Sequence, residues 1–189
     1  MLKTILSSKL GTFLLVVLGY GLIHFVNHSL TEFLQLVPGG HLFHIPSGFK
    51  FIFVLVAGWV GALGVGVASF VAALLYKFPG EWALALELAI INGLAPWLSR
   101  TLFIQNLGLN EDLSNINMKQ IFLMGLLFVF LNSGLNQLIL YWNSVSVDFL
   151  NGILVMLMGD LTGTYFVLSV MKLLTQKVGV PDPAKEKEK

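Results

Sequence analysis

"IPSGFKFIFVLVAGWVGALGVGVASFVAALLYK", residues 45–77, decides the fold of this chain through a question of parity. Read as one helix, the apolar run from Phe49 to Tyr76 is about 42 Å long at about 1.5 Å per residue. That is too long for a hydrocarbon core of about 30 Å without strong tilt. Read as two helices broken around "GWVG" (58–61), it crosses twice, with a first arm that is short for a full span. One reading sends every later segment to the opposite side of the membrane from the other.

The rest of the chain is membrane-like as well. Of 189 residues, 56% are hydrophobic and 11% charged, too little charge for the surface of a soluble domain of this length. The apolar stretches between Gly, Pro and charged punctuation are 10–28, 46–58, 60–77, 81–100, 119–142 and 149–174. The first has a basic start but no small-x-small cleavage site after it, so it is expected to remain as a helix. The expected fold is therefore all-α: a polytopic bundle of about six transmembrane helices over residues 1–178. A charged, disordered tail is expected over 179–189, "PDPAKEKEK" with its flanks.

Basic residues arbitrate the parity. With six crossings and the N-terminus inside, nine of the eleven basic residues fall inside: Lys3, Lys9, Arg100, Lys119, Lys172, Lys177, Lys185, Lys187 and Lys189. Lys50 and Lys77 are the two exceptions. Five crossings would put Arg100, Lys119 and the whole tail outside. The positive-inside rule thus favours six crossings with both termini cytoplasmic. The net charge of +1 gives no case for nucleic acid, and with no cysteine there are no disulfides or thiolate chemistry.

Polar residues inside the spans are the candidates for function. Asp160 stands in "LVMLMGDLTGTYF" (154–166), with Lys172 the nearest basic residue along the chain. An ionised carboxylate at that depth costs several kcal/mol in lipid and has to face protein or water. Asn132 and Asn136 are four residues apart on one helix face, Asn92 is central in its segment, and Glu87 lies nearer that segment's outer end. These five could line one ligand pocket, or form a hydrogen-bond network that only fixes helix register. Both readings stay open at this point.

The four histidines fall within residues 24–44. His24, His28 and Glu32 follow one another at helical spacing and could hold a divalent metal or, as a histidine pair, a haem. The alternative is that imidazoles sit comfortably where membrane meets water. No phosphate loop, GxSxG or HExxH occurs, so no enzymatic activity and no bound cofactor are expected.

Residues 45–174 resemble the MASE-type membrane-associated sensor domains of bacterial signalling proteins. A Pro-small-Gly opens an apolar helix, Gly with an aromatic residue interrupts it, a Gly-rich helix follows, and the last helix carries Gly159-Asp160…Gly163. That resemblance implies a sensor-like module, here stand-alone without an output domain, acting through a membrane or cytoplasmic protein partner. "HIPSGF" (44–49) is also similar to the opening of the substrate-capture subunits of energy-coupling-factor transporters. That likeness implies capture of a vitamin or metal. The expected function is ligand or partner binding inside the bundle, with transport and histidine-based metal or haem binding as alternatives.

Overall fold

A computed structural model describes residues 8–31, 35–38 and 40–177. Glu32 and the tail 179–189 lie outside the described residues. The elements run α1 (Lys9–Thr31), β1 (Gln35–Val37), β2 (Gly40–His41), α2 (Ile45–Ala72), α3 (Trp82–Leu107), α4 (Met118–Trp142) and α5 (Phe149–Lys177). A π-helical turn, Ala73–Lys77, prolongs α2. All five α-helices are long and apolar enough to cross a membrane, 45–77 being counted as one of them, and the chain is a multi-pass membrane protein.

Local sequence sets the helix ends. The Ser8 hydroxyl accepts from Gly11 N at 3.0 Å, opening α1. Pro46 sits in the first turn of α2, where its missing N–H has no partner to lose. Asn117 and Gln120 form a reciprocal capping box at the start of α4. Gly108 closes α3 in the left-handed conformation, φ 60°.

The 45–77 stretch is broken at Gly58. Its φ of 57° and ψ of −134° lie outside helical space, in a region that glycine alone visits readily. The chain reverses there. A Cβ at Gly61 would strike the carbonyl oxygen of Phe53, whereas a straight helix would hold residues eight apart at a separation of roughly 12 Å. The arms 45–57 and 59–77 thus lie against each other as a helical hairpin. Arg100 on α3 secures the bend. Its Nε donates to the Leu55 carbonyl at 3.0 Å, one of those left without a helical donor by the break, and its guanidinium also donates to the Glu111 carbonyl. Lys9 Nζ stands 5.4 Å over the Trp59 ring at the same end.

The hairpin is the hub of the bundle, packing against α1, α3 and α5. Small residues make the approach possible where lipid offers no hydrophobic drive between helices. A Cβ at Gly64 would meet Val16 of α1, and one at Gly93 of α3 would meet the Ala62 carbonyl. Leu18, Leu22, Val56, Leu75 and Leu150 point outward, as expected of side chains that face acyl chains. Because the hairpin doubles back, the C-terminal end of α1, both ends of the 45–77 stretch, the start of α3, the end of α4 and the start of α5 meet at one end of the bundle. Lys9, the Gly58 bend and the end of α3 lie at the other.

Candidate functional site

Lys50 occupies the second turn of α2, about one turn after Pro46, and is 2% exposed. The ammonium is met inside the bundle. Nζ donates to Asn92 Oδ1 on α3 and, at 2.9 Å, to Asn132 Oδ1 on α4. Pro96 lacks the N–H that the Asn92 carbonyl would otherwise accept, so this turn of α3 has spare polarity on a face already turned inward.

Asn132 passes the chain on. Its Nδ2 donates to Asp160 Oδ2 at 2.6 Å, and Ser133 Oγ donates to the same oxygen at 3.0 Å. Asn136, one turn further along α4, donates to the Asn132 backbone and side-chain oxygens at 2.8 and 3.2 Å. Asp160 is 5% exposed. The acid of the last helix therefore turns into the bundle and is joined to Lys50 through one asparagine, 110 residues from it along the chain.

Beside this network lies a cavity of about 60 Å³ lined by Lys50, Lys77, Asn92, Asn132, Asn136 and Asp160, with His24, His41 and His44 at its border. The residues 41–45 form a strap across α5. His44 N donates to the Gly159 carbonyl at 3.3 Å, and Thr162 Oγ1 reaches the Leu42 carbonyl at 3.0 Å. Ile45 N is held by Asn27 Oδ1 of α1 at 3.2 Å. Cβ atoms at Gly159 and Gly163 would fall on the His41 and His44 carbonyl oxygens. The two glycines of "GDLTG" thus admit the strap, and the acid between them faces the polar network.

The histidines form an aromatic group above the cavity. His24 lies edge-on to His44 with ring centroids 5.8 Å apart, and His44 stacks on His41 at 5.9 Å. Tyr76 Oη is 3.1 Å from His24 Nδ1, and His28 stacks on the Tyr76 ring at 4.6 Å. Burial, then the nearby Lys77 charge, push His44 well below the ordinary imidazole range, so the ring is neutral near pH 7. Its Nδ1 is buried without a hydrogen-bond partner.

Four of the five pocket candidates come together: Asp160, Asn132, Asn136 and Asn92. Glu87 does not. Its Oε2 accepts from Asn143 Nδ2 at 2.8 Å on the exposed side of α3. Five residues separate Glu87 from Asn92, a rotation of roughly 140° around a helix, so the two face different neighbours. For the metal reading, His24 is engaged with Tyr76, His28 with the face of the same ring, and Glu32 lies outside the described residues. Among the described residues no group of three His, Cys, Asp or Glu side chains is placed to hold a metal ion.

Sequence reasoning missed Lys50, Lys77 and Ser133. A signal existed for the lysines, since they are the two basic residues that break the positive-inside distribution. Comparison with known proteins finds no matching family model, no matching characterised protein and no matching solved structure.

Proposed function

We propose that this chain is a six-crossing protein of the bacterial inner membrane, with both termini cytoplasmic, that binds a small solute in the cavity between Lys50, Lys77 and Asp160. It works as a sensor-type binding module with no catalysis of its own, passing occupancy to a protein partner. The observation that carries the reading is a hydrated-size cavity bordered by two lysines and a carboxylate inside an otherwise apolar bundle. Ionisable groups at that depth are expensive and mark functional sites by default. A register-fixing network alone has no use for the adjoining space, because a cavity costs packing energy.

The six-crossing topology rests on the reversal at Gly58 together with the basic residues at the Lys9 end. The natural chain has no cysteine, so single introduced cysteines report topology cleanly. In intact cells, Asn110→Cys and a cysteine in the tail are expected to resist a membrane-impermeant maleimide, while Pro79→Cys and Ser144→Cys react. The reverse pattern for Asn110 and Ser144 would show 45–77 crossing once.

Ligand binding is tested on full-length protein purified from native membranes, with bound small molecules identified by mass spectrometry. A solute is expected in stoichiometric amount and is expected to be lost from Asn136→Leu, whose side chain intrudes on the cavity without removing a charge. If no solute accompanies the protein and none from a metabolite extract raises its unfolding temperature, the binding reading fails.

A further inference from the structure

The charges around the cavity do not balance, and this deepens the reading just given, on which it rests. The charged side chains facing it are Lys50, Lys77 and Asp160. His24, His41 and His44 also border it, and the His44 ring is neutral as derived above. Lys50 spends two of its three protons on amide oxygens of Asn92 and Asn132, which satisfy hydrogen bonding and cancel no charge. Asp160 supplies one negative charge against two ammoniums. The surplus positive charge borders a cavity in which, among the described residues, no further carboxylate faces it, and an uncompensated ion away from water is costly.

The shape of the lining narrows the occupant further. Part of the lining is apolar: Leu88, Leu140 and Met156 belong to one cluster with Leu84, and Phe78 packs against it. Leu88, Leu140, Met156 and Phe78 all reach the cavity. A volume of about 60 Å³ has room for roughly four to six water-sized groups. The buried Nδ1 of His44 adds a polar atom that still lacks a partner.

We infer that the cavity takes a small monocarboxylate of two or three carbons, its carboxylate toward Lys50 and Lys77 and its hydrocarbon end against Leu88, Leu140 and Met156. One negative charge neutralises the surplus, and the apolar end distinguishes such an anion from an inorganic one. Asp160 then excludes dianions by repulsion and holds Asn132 in place for Lys50.

The test uses full-length protein in lipid nanodiscs and a matched set of probes: propionate, propionamide, propylammonium and nitrate, each measured by calorimetry. Propionate is expected to bind at least tenfold more tightly than the other three. Lys77→Gln, at a half-buried position and checked for unchanged helix content by circular dichroism, is expected to weaken propionate at least tenfold and leave propionamide unchanged. Equal or tighter binding of the amide, the ammonium or nitrate overturns the assignment, as does a Lys77→Gln protein that binds propionate like the wild type. If propionate fails while a co-purified solute is still lost from Asn136→Leu, the carboxylate assignment alone falls. If both are absent, the binding reading falls with it.

Discussion

Lys50→Met is expected to lower the unfolding temperature of the detergent-solubilised protein by about 6–12 °C, which corresponds to a loss of about 3 kcal/mol at this chain length. Methionine keeps the stem and much of the volume, so cavity formation is a minor part of the effect. What disappears is Nζ. Asn92 Oδ1 and Asn132 Oδ1 lose their donor inside the bundle, and leaving a buried acceptor unpaired costs about 1–3 kcal/mol. Asp160 also loses the cation to which Asn132 links it. Adding Asp160→Asn removes the charge thus stranded. The double variant should therefore be more stable than the sum of the single losses requires, by about 0.5–3 kcal/mol in a double-mutant cycle. Simple additivity would show that Lys50 and Asp160 do not act as one network. Lys9→Met is the reference for a lysine at the surface, beside Trp59, where loss of a cation–π contact costs about 0.5–1 kcal/mol.

The contrast between Lys50 and Lys9 also explains which features could be read from residue order. The helices fall where apolar length and Gly, Pro or polar punctuation demand them. The stretches 119–142 and 149–174 match Met118–Trp142 and Phe149–Lys177 closely, because a span has a length set by the bilayer. The break in 45–77 was legible at "GWVG" for the same reason, since a run of that length in lipid either tilts strongly or turns back. Partners across the bundle were not legible. Asp160 has no cation nearby in sequence, and its network arrives from α2 through α4, while the Gly58 reversal returns Lys77 to the level of Lys50. Counting basic residues treats each lysine as a marker of the water-exposed ends, and that rule misreads one held a turn and a half inside a helix. Glu87 lies in the same segment as Asn92, but the angle around the helix turns it toward Asn143. The short strands at 35–41 carry no apolar alternation long enough to announce them.

Gly159→Ala and Gly163→Ala are each expected to cost about 3 kcal/mol, the upper end of what overpacking usually exacts, and to loosen the strap over the cavity. The added methyl would fall on the carbonyl oxygen of His41 in the first case and of His44 in the second. A flexible side chain could swing aside, but here backbone has to move. The strap is fixed by His44 N on the Gly159 carbonyl, Thr162 Oγ1 on the Leu42 carbonyl and Ile45 N on Asn27, so displacement breaks these bonds together and carries His41 and His44 away from the site. Gly134→Ala on α4 is the control, since a Cβ there meets nothing within 4 Å and alanine is favoured over glycine in a helix by up to about 1 kcal/mol. Thermal unfolding should separate the two classes in opposite directions. Hydrogen–deuterium exchange should rise over 41–45 in the Gly159 and Gly163 variants and stay unchanged in the Gly134 variant. Matching exchange in all three would mean that the strap does not rest on α5 at all. The predicted separation follows from one physical reading of "GDLTG": the glycines make room for backbone on one face of the helix, and the aspartate between them uses another face to anchor the buried charge.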